Sequence, residues 1–407
     1  MRAARTRRPG PRLYARGVTV NELLGQLAPI GRDPQSGGYR RFSWTPVDAE
    51  LRRWFIEQAA TRDLRVERDR NANLWAFKGD PDGTDIVATG SHLDSVPDGG
   101  AYDGPLGIAS AFAALDMLDD QGLRPTRPVA IVAFAEEEGA RFGVACLGSR
   151  LMTGALDPDR ARDLGDTDGV TLGQAMIEAG EDPSLLGPDP TRLERLHRYV
   201  ELHVEQGRGL VDLGHPVAVG SEIWPHGRWR LDFAGTANHA GTTRMEDRDD
   251  PMARFVGTVP RVFDAAAAAS GRATFGRVQV TPNSTNAIPS RVTAWLDARA
   301  PTEEALSEVM GSVGDVIIEP ESVTPGIQFD RELRDRLARL LNGPPVLATA
   351  AGHDAGILSS AGVPAAMLFV RNPTGVSHSP AERVSAEDCL AGVDALARVL
   401  SDLGGFR

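Results

Sequence analysis

The stretch TDIVATGSHLDSVPDGGAYDGPLG, at residues 84–107, decides the fold. It begins as a short apolar run, which is typical of a buried strand, and continues into a loop rich in glycine and aspartate. The apolar segment at residues 107–122 predicts a helix that stops at a glycine. A second apolar run, PVAIVAFA at residues 128–135, ends in three glutamates. Strand, loop, helix and strand in this order predict an α/β domain with a mostly parallel sheet.

The same architecture returns in other parts of the chain. Apolar spacing predicts helices at residues 20–27 and 49–59, and the segment 64–80 alternates like two short strands joined by a turn. The runs RYVELHVEQG and VPAAMLFV, at residues 198–207 and 363–370, predict two further buried strands. We therefore expect a central sheet, mostly parallel, with helices on its faces.

A different pattern occupies the segment from about residue 215 to residue 324. Alternating strands such as WRLDFAG and SRVTAWLDAR are interleaved there with two amphipathic helices, which is an α+β arrangement of ferredoxin-like type. The sequence thus predicts a catalytic domain made of residues 18–214 and 325–407, interrupted by a second domain at 215–324. Residues 1–17 are rich in arginine and are expected to be disordered, either as a transit peptide or as a mis-started N-terminus.

Composition excludes several classes of protein. The formal net charge of −12 argues against nucleic acid as a partner, because a basic surface is the usual requirement. No apolar run reaches the roughly 18 residues that a membrane span needs. Two cysteines in 407 residues do not make a disulfide framework, so reduced thiols and a cytoplasmic location are expected.

The predicted strand ends carry side chains suited to metal binding. His92 and Asp103 offer the imidazole and carboxylate ligands that zinc-type cations prefer, and Asp94 is placed to orient the His92 ring. His203 and His378 follow two other predicted strands. The alternative for the first loop is a turn built by aspartates, and for each lone histidine a structural or surface role.

Three adjacent carboxylates, Glu136, Glu137 and Glu138, end the second strand. Their mutual repulsion and desolvation would be relieved by a bound cation, although a solvated acidic strand end is the alternative. Because neighbouring side chains of a strand point in opposite directions, one can ligate a metal while another acts as a general base. For Asp354, which precedes an apolar helix, we expect a capping role.

Several motifs occur in one order over nearly the whole chain: GSHLDSVPDGGAYDGPLG, AEEEGARFG, ELHVEQG, NHAGTT, NSTNAIPS followed by LDAR, AGHDA and GVSHSPAE. This set resembles the dinuclear-metal amidohydrolases that include N-carbamoyl-L-amino acid hydrolases, allantoate amidohydrolases and β-ureidopropionases. These enzymes belong to the larger aminoacylase and carboxypeptidase-like metallopeptidase superfamily. The resemblance covers about residues 18–400.

The resemblance implies two divalent metal ions, zinc by default with manganese, cobalt or nickel as possible substitutes, bridged by Asp103. One ion would also take His92 and His203, and the other Glu138 and His378. The resemblance also implies a cis peptide bond between Asp103 and Gly104.

Further roles follow from the same resemblance. Glu137 matches the general base, and Gln206 matches a substrate-contacting glutamine. In the inserted domain, His239, Asn286 and Arg299 match groups that hold the transition-state oxygen and the substrate carboxylate. His239 would act in the partner subunit of a homodimer that forms through the inserted domain, which also serves as a lid.

The expected activity is metal-dependent hydrolysis of a linear amide or ureido C–N bond in a small carboxylate substrate, with release of ammonia. Allantoate, an N-carbamoyl-L-amino acid, β-ureidopropionate and an N-formyl amino acid all remain open as substrates. An aminoacylase or dipeptidase is the alternative among enzymes, and a non-catalytic binding protein is the alternative outside them. The chain departs from the family pattern at four positions, none of them a proposed ligand: Ala72, Arg244, Arg371 and Asn372.

Overall fold

A computed structural model describes residues 18–407 of the chain, so the expectation for residues 1–17 lies outside the described part. The described residues form two compact units. The first consists of residues 18–221, 329–347 and 352–407, and the second of residues 222–328 and 348–351. The inserted segment is thus placed at 222–328, several residues later than the expected 215–324.

The first unit is built on a mixed sheet. Its strands are β1 (Arg65–Arg68), β2 (Leu74–Lys78), β3 (Ile86–His92), β4 (Val129–Phe134), β5 (Leu196–Val204), β6 (Val217–Ile223) and, late in the chain, β15 (Ala365–Val370). They are hydrogen-bonded in the order β1-β2-β4-β3-β5-β15-β6. The four central strands β4, β3, β5 and β15 run parallel, and the neighbours at both flanks are antiparallel. The predicted α/β class is confirmed, with antiparallel strands at both flanks of a parallel centre.

Helices cover this sheet. They are α1 (Val20–Leu27), α2 (Pro46–Ala60), α3 (Pro105–Asp120), α4 (Leu147–Thr153), α5 (Pro158–Arg162), α6 (Leu172–Glu178), α7 (Pro190–Arg195), α8 (Gly209–Leu213), α11 (Arg331–Leu340), α12 (Asp354–Ser360) and α13 (Ala386–Gly404). One 3-10 turn lies at Pro183–Leu185. Strands β3, β4 and β15 are buried along their whole length, as expected for parallel strands with both faces covered.

Local sequence explains where these helices start. Thr19 makes a capping box with Glu22 at the start of α1, and Thr45 caps α2 just before Pro46. Helix α3 packs against α1 and α13, and their apolar side chains form the largest core cluster together with strand residues such as Val87 and Ile131. The predicted helices at 20–27 and 49–59 and the hairpin at 64–80 are all present.

The second unit has the ferredoxin-like order of elements. Its main elements are β7 (His226–Ala234), α9 (Pro251–Ala268), β9 (Arg272–Thr281), β11 (Arg291–Arg299), α10 (Glu303–Gly311) and β12 (Ile317–Thr324). The four strands form an antiparallel sheet in the order β12-β7-β11-β9. Strand, helix, strand, strand, helix, strand is the βαββαβ pattern that the sequence predicted.

One face of that sheet carries the core of the second unit. Alternate residues of β7 and β11, including Leu231, Phe233 and Leu296, pack with α9 and α10 residues such as Val262 and Val309.

The remaining short elements of the described residues are β8 (Asn238–His239), β10 (Ala287–Ile288), β13 (Ile327–Gln328), β14 (Val346–Thr349) and a 3-10 turn at Met245–Asp247. Among residues 18–407, no helix is both long enough and apolar enough to cross a bilayer.

Candidate metal centre

The four parallel strands bring their carboxyl ends to one edge of the sheet, where sites form in α/β proteins. His92 is the last residue of β3, and His203 is the next-to-last residue of β5. The three glutamates follow β4, and His378 lies in the loop after β15. The sheet therefore gathers side chains that are far apart in the sequence.

The Asp103 carboxylate lies at the centre of this cluster, with its two oxygens facing different histidines. Its Oδ1 is 3.5 Å from Nε2 of His92 and 3.2 Å from Nε2 of His203. Its Oδ2 is 3.4 Å from Nε2 of His378, which is also 3.4 Å from Oε2 of Glu138. One carboxylate thus connects two groups of possible ligands.

The side chains present fit a pair of divalent cations. His92, Asp103 and His203 place one ligand atom each within 4.8 Å of one another, and Asp103, Glu138 and His378 form a second such group. The Nε2 atoms of His92 and His203 are buried and have no hydrogen-bond partner among the described residues. Buried polar atoms without partners are rare in folded proteins, and imidazole and carboxylate are the ligands that zinc prefers.

Electrostatics at the cluster also favour a cation. Burial raises the pKa of Glu137 and of Glu138 well above the usual value, and the carboxylates around them add to the effect while His92 opposes it. For Asp103, burial is outweighed by His203 and His92, which hold the pKa of that carboxyl well below its usual range. A concentration of buried carboxylates and imidazoles is stabilised when a metal ion neutralises it.

Glu137 lies beside the ligand groups without belonging to either. Its Oε2 is 3.6 Å from Nε2 of His92, and its Oε1 accepts a hydrogen bond of 3.3 Å from the Cys146 thiol. The Asp94 carboxylate accepts the backbone N–H groups of Glu137 and Glu138, at 3.2 and 3.0 Å. Nδ1 of His92 lies nearer the carbonyl oxygen of Asp94, at 3.1 Å, than its carboxylate, at 3.6 Å. Asp94 thus connects the two strand ends.

Gly104 shapes the turn that delivers Asp103. It adopts φ 83° and ψ −61°, and a Cβ atom at this position would lie 2.5 Å from Cε1 and Nδ1 of His92. Among the described residues, only the bond from Thr281 to Pro282 is cis. The expected cis bond between Asp103 and Gly104 is therefore wrong, because the positive φ of Gly104 makes the turn with a trans peptide.

Three residues reach Asp103 from other loops. Nε2 of Gln206, which was expected to contact substrate, donates to Oδ2 of Asp103 at 2.8 Å. The Ser377 hydroxyl donates to the same oxygen at 2.9 Å, and Glu382 accepts the backbone N–H of Asp103 at 3.1 Å. Sequence reasoning missed Ser377 and Glu382, although both stand in the motif GVSHSPAE.

Asp354 does not cap a helix, so that expectation is wrong. Helix α12 begins at Asp354 itself, and the preceding residue, His353, is in the N-cap position. Oδ1 of the fully buried Asp354 accepts a short hydrogen bond, 2.5 Å, from Ser149 of α4. The ring centroids of His353 and His203 lie 4.5 Å apart, so the start of α12 packs against the group of possible ligands that contains His203.

The residues expected to act from the inserted segment lie in the second unit. His239 and Asn286 are exposed neighbours, since β8 pairs with β10 and Ala240 donates its N–H to the Asn286 carbonyl. Arg299 is the last residue of β11, where its guanidinium donates to both oxygens of Asp297 and to the Ala350 carbonyl. The structure thus brings His239 and Asn286 together and places Arg299 at the other end of the sheet.

The four departures from the family pattern have structural contacts. Buried Asn372 accepts three hydrogen bonds from Thr374 and Gly375 and donates one to the Val376 carbonyl, which closes the loop before His378. The two arginines form three ion pairs: Arg371 with Asp388 of α13, and Arg244 with Glu246 and with Asp247. Ala72 occupies the turn between β1 and β2 with φ 64°.

Comparison with known proteins agrees with this geometry. Residues 88–402 match the Peptidase family M20/M25/M40. The chain is 35% identical to the N-carbamoyl-L-amino acid amidohydrolase of Geobacillus stearothermophilus, covering 93% of this chain and 97% of that protein. It is 32% identical to the allantoate amidohydrolase of Escherichia coli K12, covering 94% and 97%.

A solved structure gives the same result for the fold. A crystal structure described as an amidase of the hydantoinase/carbamoylase family from Burkholderia vietnamiensis superposes with a TM-score of 0.84 at 27% identity. The match covers 95% of this chain and 96% of that one. The chain thus belongs to the peptidase M20/M25/M40 family, and the family resemblance read from its motifs is confirmed.

Proposed function

We propose that the protein is a metal-dependent amidohydrolase that cleaves a linear amide or ureido C–N bond of a small carboxylate substrate, with an N-carbamoyl-L-amino acid or allantoate as the substrate. The observation that carries the proposal is the Asp103 carboxylate, whose oxygens face two separate ligand groups beside Glu137. The two curated relatives described above act on these two kinds of substrate, as their names state.

His92, Asp103 and His203 would hold one divalent cation, and Asp103, Glu138 and His378 the other, with zinc as the default metal. Such cations polarise a substrate carbonyl and lower the pKa of a water molecule. Since neither group contains a thiolate, manganese, cobalt and nickel suit the same ligands.

Glu137 would act as the general base. Its Oε2, which lies 3.6 Å from Nε2 of His92, would take a proton from the attacking water and return it to the leaving nitrogen, while the Cys146 thiol donates to Oε1. Because the Asp94 carboxylate binds the backbone of both Glu137 and Glu138, the base and the neighbouring ligand keep a fixed relation to one another.

The second unit would supply substrate contacts as a lid and as the dimer interface. His239 would stabilise the oxyanion, and Asn286 and Arg299 would bind polar groups of the substrate, with the Arg299 guanidinium matching a carboxylate. Gln206, which contacts Asp103, would bind substrate from the first unit.

The arrangement within the second unit supports a homodimer. Arg299 ends β11 eight residues after its start at Arg291, about 26 Å along the strand at the usual rise per residue. Strands β8 and β10 pair as a separate two-stranded sheet just before that start of β11 in the chain, with His239 in β8 and Asn286 directly before β10. A single small substrate cannot span this length, so we infer that one active site uses Arg299 of its own chain and His239 of the partner subunit.

Strand β9 offers a surface for such a pairing. It is one of the two edge strands of the second sheet, and most of its ten residues are exposed. The neighbouring helix α9 exposes Val256 and Phe263. Unpaired strand edges with apolar neighbours are places where another chain binds.

The two buried free thiols, Cys146 and Cys389, suit the cytoplasmic location that we propose.

A substrate panel tests the proposed activity. The metal-loaded protein is incubated with N-carbamoyl-L-amino acids, allantoate, β-ureidopropionate, N-formyl and N-acetyl amino acids and dipeptides, and both ammonia and free amine are measured. We expect ammonia from a carbamoyl amino acid or from allantoate. Free amine from acyl amino acids or dipeptides without any ammonia would instead identify an aminoacylase or a dipeptidase.

A further inference from the structure

A buried carboxylate outside both ligand groups holds the loop that carries Asp103. Oε2 of Glu382, a residue that is only 3% exposed, accepts the backbone N–H groups of Tyr102 and Asp103 at 2.8 and 3.1 Å. Its Oε1 lies 3.2 Å from Oγ of Ser377. The same Oγ lies 2.9 Å from Oδ2 of Asp103. Glu382 therefore reaches Asp103 both through the backbone and through a serine.

This arrangement joins two loops that are far apart in the sequence. One loop delivers Asp103, and the other carries Ser377, His378 and Glu382. The two loops pack so closely that no side chain fits at Gly100, where a Cβ atom would lie 2.2 Å from Oε2 of Glu382. The two loops are thus held in register at the place where Oδ2 of Asp103 faces His378.

Each loop also has contacts of its own. The loop before His378 is closed by Asn372, and helix α3 begins at Pro105, two residues after Asp103. Ser377, which Glu382 contacts in turn, fixes the rotation of the Asp103 carboxylate about its Cβ–Cγ bond. That rotation decides which oxygen points to which ligand group.

We propose that Glu382 and Ser377 are positioning residues that hold Oδ2 of Asp103 toward the Glu138–His378 group, and that they thereby set the affinity of this group for its metal ion. The inference rests on the proposed metal sites. Loss of the hydrogen bonds that orient a metal ligand commonly changes metal affinity by about 10- to 100-fold. Ser377 makes such a bond to the Asp103 carboxylate, and Glu382 acts on it through Ser377 and through the backbone N–H of Asp103.

The test is a Zn²⁺ titration of the full chain in competition with a chromophoric chelator. The unsubstituted protein is expected to bind two equivalents. Glu382→Ala is expected to weaken the second equivalent by about 10- to 100-fold, and Ser377→Ala by about tenfold because Gln206 still donates to Asp103. The first equivalent should change by less than about threefold in both.

The neighbouring pair Ser385 and Asp388 supplies matched controls. Asp388 is also buried, accepts a hydrogen bond from a serine hydroxyl and pairs with Arg371, but it touches neither ligand group. Asp388→Ala and Ser385→Ala are expected to lower thermal stability and to leave both zinc affinities unchanged. This separates positioning from a general loss of stability.

Glu382→Gln should restore zinc binding, since its amide oxygen can accept the two backbone N–H groups and its amide nitrogen can donate to Ser377. The proposal is overturned if Glu382→Ala and Ser377→Ala bind both equivalents as the unsubstituted chain does, or if the control variants lose zinc equally. If Glu382→Ala does not fold, Ser377→Ala decides the matter. An unsubstituted chain that binds no zinc refutes the metal sites themselves, and with them this inference.

Discussion

Replacing Gly104 by alanine should damage the proposed metal centre far more than the addition of one methyl group suggests. With φ 83° and ψ −61°, Gly104 occupies a region that residues with a side chain adopt at a cost of about 1–3 kcal/mol. The added methyl would lie 2.5 Å from two atoms of the His92 ring, and such overpacking costs about another 1–3 kcal/mol. We expect the first unit to lose about 2–6 kcal/mol of stability.

Gly122 provides the matched control at the other end of the same helix. It follows α3 with φ 74°, and no heavy atom lies within 4 Å of the position that its Cβ would take. Gly122→Ala therefore adds backbone strain without a clash, about 1–2 kcal/mol. His92 stays in place in this variant, so the proposed metal ligands keep their geometry.

Hydrogen exchange of α3 and Zn²⁺ titration measure both consequences. Gly104→Ala should show faster exchange than Gly122→Ala and should lose at least about tenfold in zinc affinity, while Gly122→Ala keeps the affinity of the unsubstituted chain. Equal stability and equal zinc binding in the two variants would show that Gly104 is not required by the His92 ring, and the steric argument would fail.

Three further substitutions test separate parts of the account. Glu137→Gln should keep both zinc equivalents and lose about 10²- to 10⁴-fold in turnover, as ammonia release from the active substrate would show; full activity would exclude Glu137 as the base. Arg299→Lys should lower kcat/KM by about 10- to 100-fold for the carboxylate substrate but not for its amide analogue, and equal losses for both would contradict carboxylate binding. Asn372→Ala should cost about 1–3 kcal/mol in urea unfolding without changing the order of preferred substrates, whereas a changed order would give Asn372 a place in specificity.

The main elements and the clustering of the candidate ligand side chains could be predicted because they depend on short-range signals. Apolar runs of strand length identified β3, β4, β5 and β15, and parallel strands must bring their carboxyl ends to one edge. Histidine and carboxylate residues at those ends were therefore expected to meet. The structure brings His92, Asp103, His203, Glu138 and His378 together as expected.

Contacts between distant loops could not be read in this way. Glu382 is 279 positions from Asp103, and an isolated glutamate in a loop predicts only a solvated side chain. Asp354 preceded an apolar helix, so a cap was the natural expectation, but burial against Ser149 decides its role. Arg371, which departs from the family pattern, falls into the same class, since its partner Asp388 in α13 is known only from the fold.

The central claim is that Asp103 bridges two metal ions. Anomalous diffraction at the zinc edge from crystals of the Zn²⁺-loaded protein tests it directly. We predict two peaks about 3.5–4 Å apart, one beside His92 and His203 and one beside Glu138 and His378, with an oxygen of Asp103 next to each. A single peak, or two peaks that do not share the Asp103 carboxylate, would contradict the claim.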